Sequence, residues 1–288
     1  VRLRSLLFVP GDRPDRIEKA LGCGADALIL DLEDAVAPGN KDKARAAVAA
    51  CLARTPRTTT VFCRINPLDG PLAEQDLAAI GSGRPDGIVL PKAEGAACVR
   101  TLVGKLDAGG WSRVPVLPIA TETPKAVFGL GSYSEVSDLL CGLTWGAEDL
   151  PAAIGASASR EVDGSYTPPY EVVRTLALMA AHAAGVPAIE TVYPAFRDLS
   201  GVRAYARRGR RDGFGGMMAI HPDQVGPINE AFSPTPDELE HARRVVELFE
   251  TNPGVGTLAL DGRMVDAPHL SQARRILAMG SEAAHSKS

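Results

Sequence analysis

Eight short apolar runs recur along the chain: SLLFVP (5–10), ADALILDLED (25–34), TVFCRIN (60–66), DGIVLPK (86–92), VPVLPIATE (114–122), LLCGLTWGAED (139–149), AIETVY (188–193) and MMAIH (217–221). Each is continuously apolar rather than alternating, the pattern of parallel strands buried on both faces. Between them lie stretches with helical character, among them KDKARAAVAACLAR (41–54), PLAEQDLAAI (71–80), EGAACVRTLVGKL (94–106) and YEVVRTLALMAAHAAG (170–185). Eight strand–helix units within about 230 residues predict a (β/α)8 TIM-type barrel. An open doubly wound sheet is the weaker reading, because no G-x-G-x-x-G follows an early strand.

The barrel is expected over residues 1–230, with a C-terminal helical and hairpin extension over 231–288. There, Thr235, Pro236 and Glu238 form a capping-box start to a long helix. LALDGRMVDAP follows as two short extended pieces around an Asp-Gly turn, and a further helix is expected near 268–279.

The formal net charge is −4, with no long run of Lys or Arg, which gives no electrostatic footprint for nucleic acid or an anionic membrane. No apolar stretch approaches the roughly 20 residues that span a bilayer. The five cysteines are odd in number, lack a C-x-x-C pair and mostly sit among apolar residues, as reduced core thiols do. A cytoplasmic location is expected. The start, VRLRSLLFVPGD, has an apolar part shorter than a signal-peptide core.

In such a barrel the working residues lie at the C-terminal ends of the strands. Those ends carry Asp31, Glu33 and Asp34 (second strand), Arg64 and Asn66 (third), Lys92 (fourth), Glu122 (fifth), Glu148 and Asp149 (sixth), Glu190 (seventh) and His221 (eighth). Acids around an Arg and a Lys suit a divalent cation that bridges carboxylates and an anionic substrate. Mg²⁺ takes one or two protein carboxylates, and Glu122 and Asp149 on neighbouring strands fit that count. Each could instead be a helix-start acid, before Pro124 and Pro151 respectively. Glu148 is expected to be a bystander. Glu33 and Asp34 read as supports that cap a helix or pair with nearby cations. Arg64 offers a planar fork to a carboxylate or an enolate oxygen, a salt bridge to the second-strand acids, or both at once. Lys92 is either a Schiff-base lysine or an ion-paired support. His221 is a base or part of a packed turn. No H-E-x-x-H, G-x-S-x-G or G-x-x-x-x-G-K-[ST] motif is present, which leaves metal-assisted carbon chemistry in front.

RSLLFVPGDRPDRIEKA, ADALILDLEDAVAPGNKDKAR, CRINP, GIVLPKAE, the Glu of ATETP, GAEDLPAAIG, IHPDQVGPINEAFSPTP and DGRMVDAPHLSQARRIL together resemble the citrate lyase beta-subunit-like family, relatives of malyl-CoA and citramalyl-CoA lyases. The resemblance implies a barrel enzyme that uses Mg²⁺, with Mn²⁺ as an alternative, to cleave a 3-hydroxy-acyl-CoA thioester into acetyl-CoA or a homologue and a 2-oxo acid. It implies Glu122 and Asp149 as metal ligands, Arg64 as the residue that binds substrate and enolate, and Asp266 as the acid/base. Ile220 and His221 of the IHP motif would meet substrate, and Arg13, Arg16 and Lys19 would meet coenzyme A. It further implies a homotrimer in which the C-terminal segment closes over a neighbouring subunit's site. A partner acyl-carrier subunit is possible, as in the oligomeric citrate lyases, as is a class II aldolase acting on free 2-oxo-3-deoxy acids.

Overall fold

The computed structural model describes residues 2–111 and 113–285, with side chains described as far as residue 280. The eight apolar runs form strands β1 (Ser5–Pro10), β2 (Ala27–Asp31), β3 (Thr60–Arg64), β4 (Gly87–Leu90), β5 (Val116–Pro118), β6 (Leu143–Thr144), β7 (Ala188–Glu190) and β8 (Gly216–Ala219). Their ladders are all parallel, in the order β5-β4-β3-β2-β1-β8-β7-β6. The two ends of that order are stitched by isolated parallel bridges, Val116 to Leu140 and Ile119 to Thr144. The barrel is therefore nearly closed, with its seam between β5 and β6. The expected barrel is the fold observed. The sixth run shows the largest difference, since its ladder shrinks to two residues at that seam.

Around the strands run α1 (Pro14–Ala20), α2 (Lys41–Leu52), α3 (Leu72–Ile80), α4 (Ala96–Ala108), α5 (Pro124–Gly129), α6 (Leu150–Ile154), α7 (Pro168–Ala183) and α8 (Leu199–Asp212), with α9 (Val225–Ala231) after β8. The barrel interior is filled by Leu6, Ala27, Ile29, Phe62, Val89, Leu117, Ile119, Ile189 and Met218. These come from seven strands and the β5 extension, so the centre is packed core and cannot be a channel.

The chain divides into two compact units, with the division between Asn229 and Glu230. The second unit contains α10 (Pro236–Thr251), the antiparallel pair β9 (Thr257–Leu260) and β10 (Arg263–Asp266), and α11 (Ala267–His285). At the start of α10, Thr235 Oγ1 accepts from Glu238 N (3.2 Å) and Thr235 N donates to Glu238 Oε2 (2.7 Å). Such a box is worth about 1 kcal/mol. The hairpin turns through Asp261 and Gly262, both at positive φ (51° and 74°), as a two-residue turn matched to strand twist requires. Ala242, Val245 and Ala273 form the core of this unit. No helix among the described residues is long and apolar enough to cross a membrane.

Candidate active site

The charged residues at the strand ends form one connected array. Arg64, leaving β3, donates from Nε to Asp31 Oδ1 (2.7 Å) and from Nη2 to Asp31 Oδ2 (2.6 Å), while Nη1 pairs with Glu33 Oε2 at 2.8 Å. The bidentate fork fixes the plane of the guanidinium, and its face lies over the Phe8 ring at 4.9 Å. Asp31 is itself anchored, accepting the backbone N–H of Glu33 and of Ala35. Burial opposes the charge on Arg64, but Asp31, Glu33 and Asp34 outweigh it and hold the guanidinium firmly protonated. Asp34 is exposed, with its carboxylate 4.0 Å from Arg64.

Glu33 is the next link. Burial pushes its pKa up, against the pull of Arg64 and Lys92. Its Oε1 accepts from Lys92 Nζ at 2.9 Å, and the same ammonium lies 3.7 Å from Asp149 Oδ1. Burial disfavours the Lys92 charge, yet Glu33, Glu122 and Asp149 keep its pKa above the ordinary lysine value. Lys92 is thus the charged, ion-paired lysine of the two alternatives, since a Schiff-base lysine needs a depressed pKa.

Lys92 adopts φ +49°, the left-handed region that non-glycine residues seldom enter. This conformation accompanies a backbone N–H donated to Glu122 Oε2 at 2.5 Å. Glu122 is 4% exposed. Burial, with Glu33 and Asp149 close by, pushes its pKa up to about 8 despite that hydrogen bond. Asp149 lies at the mouth, its side chain 38% exposed, and Glu148 is exposed. Two carboxylates facing each other in a largely buried place, with the Lys92 ammonium shared between Glu33 and Asp149, are a set of hard oxygen donors short of positive charge, and a divalent cation would supply it. Among the described residues no group of three or more His, Cys, Asp or Glu is placed to hold a metal. A cation here would have two carboxylates and otherwise water or substrate oxygens, which is the Mg²⁺ habit.

Residues with no motif of their own hold this geometry. Thr121 Oγ1 bonds both the carbonyl and the N–H of Gly146, each at 3.0 Å, clasping β5 to β6 across the seam. A Cβ on Gly146 would meet Glu122 Cγ at 2.9 Å, so glycine lets the carboxylate lie against the chain. Trp145 is fixed by its indole N–H to Glu190 Oε1 (2.6 Å), and Glu190 also accepts from Tyr205 OH and Arg174 Nε. Beneath Glu33, Lys41 Nζ donates to the carbonyls of Leu32 (2.6 Å) and Glu33 (2.7 Å) and to Asn66 Oδ1 (3.0 Å). Sequence reading noted Glu190 and Asn66 as strand ends and gave no role to Thr121, Trp145 or Lys41. Their roles depend on partners 25 to 45 positions away for the first two.

None of the remaining candidates is bonded to this array among the described residues. Arg13, Arg16 and Lys19 are exposed after β1, Arg13 pairing with Asp15 at 3.1 Å. His221 caps the turn after β8, its Nδ1 accepting from Asp223 N, and stacks on Phe196 at 5.0 Å. Ile220 is 40% exposed, its N–H bonded to Gln224 Oε1. Asp266 belongs to the second unit, where it precedes α11 and pairs with His269 Nδ1 at 2.5 Å. At the opposite end of the barrel a cleft of about 610 Å³ opens beside Arg57, Thr59, Asp86 and Cys141. Arg57 is engaged there by the carbonyls of Leu52, Gly83 and Arg84, so the cleft has no converging chemistry.

Comparison with known proteins agrees with this architecture. The family model for HpcH/HpaI aldolase/citrate lyase matches residues 4–222. The chain belongs to that family. A citrate lyase subunit beta-like protein of Mycobacterium tuberculosis is 36% identical over 96% of this chain and 95% of its own length. A (3S)-malyl-CoA thioesterase of Cereibacter sphaeroides is 34% identical over 96% and 93%. Among solved structures, CitE from M. tuberculosis in complex with magnesium, acetoacetate and coenzyme A superposes with a TM-score of 0.84 at 33% identity, covering 98% of this chain and 99% of that one. The resemblance read from the motifs is borne out, and the protein is an enzyme of this carbon–carbon lyase family.

Proposed function

We propose that this protein is a Mg²⁺-dependent lyase that cleaves a 3-hydroxy-acyl-CoA thioester of the malyl, citramalyl or citryl type to acetyl-CoA, or a homologue, and a 2-oxo acid. The observation that carries the reading is the facing pair Glu122 and Asp149 beside a rigidly held Arg64. Glu122 and Asp149 would hold the cation, which when bound supplies Lewis-acid stabilisation of charge on the substrate oxygens. Mn²⁺ would suit the same ligands.

Arg64 turns three of its five N–H groups toward Asp31 and Glu33, which leaves donors for an oxygen that gains charge as the carbon–carbon bond breaks. Because Asp31 fixes its plane beforehand, little reorganisation is needed during reaction, and a donor so placed is worth a few kcal/mol. Lys92 and Glu33 keep Arg64 and the carboxylates in register. Asp266 would deliver the proton to the enolate carbon, carried by a C-terminal unit that closes over a neighbouring subunit's site in a homotrimer. Arg13, Arg16 and Lys19 would meet the phosphates of coenzyme A, and Ile220 and His221 the thioester arm.

A second reading, hydrolysis of a malyl-CoA-type thioester, is favoured by the name of the Cereibacter relative. Product analysis separates the two. Malyl-, citramalyl- and citryl-CoA are each incubated with enzyme, with and without EDTA. Release of a 2-oxo acid together with a shorter acyl-CoA, abolished by EDTA, is expected. Release of free coenzyme A and the intact hydroxy acid would favour hydrolysis, and metal-independent cleavage would refute the metal-assisted reading. Asp149→Ala should abolish metal-dependent turnover yet change folding stability by only about 1 kcal/mol or less, since the side chain is partly exposed. Full activity in that variant would remove Asp149 from the cation site.

A further inference from the structure

Lys92 touches both halves of the site through different groups. Its backbone N–H binds Glu122, and its ammonium binds Glu33 and lies 3.7 Å from Asp149. Glu33 in turn pairs with Arg64. In formal charge, Arg64 and Lys92 offset Asp31 and Glu33, which leaves Glu122 and Asp149 to balance one divalent cation. That cation would stand within a few ångström of an ammonium in a half-buried pocket, where like charges repel appreciably. The ammonium cannot easily withdraw. Its nearest carboxylate, Glu33, is 3% exposed and fixed by Arg64, and moving the Lys92 backbone out of its left-handed conformation would withdraw the N–H from Glu122.

We propose that Lys92 is a specificity-determining residue that makes retention of the cation conditional on an anionic co-ligand, so that the site holds Mg²⁺ weakly alone and tightly with a 2-oxo acid. The co-ligand's carboxylate supplies negative charge that offsets the local repulsion between the ammonium and the cation, which formal neutrality of the site leaves in place. The same balance discriminates among carbonyl compounds: a 2-oxo acid satisfies it, and a neutral ketone of similar size does not. Coupling of this kind is reciprocal, so Mg²⁺ tightens binding of the acid by the factor by which the acid tightens Mg²⁺. The inference rests on Glu122 and Asp149 being the cation ligands, as proposed above.

The test is calorimetric titration of Mg²⁺ into the metal-stripped full-length protein, alone and with saturating pyruvate or acetone. In the wild type, pyruvate should tighten Mg²⁺ at least about tenfold and acetone should leave it unchanged. In Lys92→Met, Mg²⁺ alone should bind at least about tenfold tighter than in the wild type, and pyruvate should add less than about threefold. Lys92→Arg keeps the charge and should keep the wild-type pattern. Lys92→Gln serves as a second neutral variant if the methionine variant does not fold. Neutral variants with the same two affinities as the wild type would overturn the role of Lys92 alone. Failure of Mg²⁺ to bind the wild type even with pyruvate, or equal binding by Asp149→Ala, would overturn the cation site itself and this inference with it.

Discussion

The carboxyl group of Glu122 faces that of Asp149 across the β5–β6 seam, where isolated bridges replace a ladder. The Thr121–Gly146 clasp holds the two strand ends together at that point. Burial, and then the nearness of Glu33 and Asp149, raises the Glu122 pKa, and the Asp149 side is open enough to admit an ion and its waters.

The raised pKa of Glu122 ties stability and metal binding to pH. A carboxyl whose folded pKa is about 8 and whose ordinary value is 4.5 binds an extra proton in the folded state between those limits. Stability of the metal-free protein therefore falls as pH rises from about 4.5 to 8, by on the order of a few kcal/mol. A bound cation must displace that proton below pH 8 and need not above it. The rise in melting temperature on adding Mg²⁺ should therefore grow from pH 6 to pH 8 and then level. In Glu122→Gln both the pH dependence of the metal-free protein and the Mg²⁺ shift should shrink. An equal Mg²⁺ shift at pH 6 and pH 8.5 would show that Glu122 is not the group displaced.

Arg64→Lys keeps a positive charge and loses the fork that Asp31 grips at two points. We expect kcat to fall by about 10²-fold or more, as when one preorganised donor is removed, with much smaller change in Mg²⁺ affinity. Asp31→Asn, which leaves the guanidinium free to tilt, should reproduce part of that loss. Steady-state kinetics beside Mg²⁺ titration checks both, and a lysine variant within about threefold of wild-type kcat would remove Arg64 from the reaction.

Glu190→Ala tests the support of the seam. It strips Arg174, 3% exposed, of one partner and removes the acceptor of the Trp145 indole. Leaving a buried charge under-compensated costs about 3–5 kcal/mol. The remaining pair between Arg174 and Asp212 at 2.8 Å should place the loss at the lower end. Chemical denaturation measures it, and a change under about 1 kcal/mol would mean that water enters to solvate Arg174.

The sequence carried the barrel because its signal is local and repeated. Runs such as ALILD and GIVL are too apolar to have one wet face, and the strands appear where those runs lie. The candidate site was legible for the same reason, since C-terminal strand ends share one rim and polar residues there stand out against apolar runs. The division of labour at the rim was not. That Lys92 bridges Glu33 and Asp149 and that Glu122 takes a backbone N–H from a left-handed lysine both depend on contacts between strands. The β6 run reads as eleven residues of strand and turn, yet its ladder is two residues long, because closure of the barrel by single bridges leaves no signature in composition.

The hydrogen bond to His269 holds the Asp266 carboxyl below its ordinary pKa. In the condensation direction its carboxylate would remove a proton from the acyl-CoA methyl group, so exchange of that proton with deuterated water should fail as pH drops through the Asp266 pKa. His269→Ala removes the main cause of the depression, and the acid limb of the exchange profile should move to higher pH. Asp266→Asn should lose about 10²–10⁴-fold in turnover, the usual worth of a positioned acid/base, while Mg²⁺ and pyruvate bind as in the wild type. If the proposed homotrimer shares its sites between subunits, mixing inactive Asp266→Asn with inactive Asp149→Ala under conditions that exchange subunits should restore part of the activity, since some sites would then pair an intact barrel with an intact C-terminal unit. Activity that never reappears in such mixtures would mean that each C-terminal unit serves its own barrel.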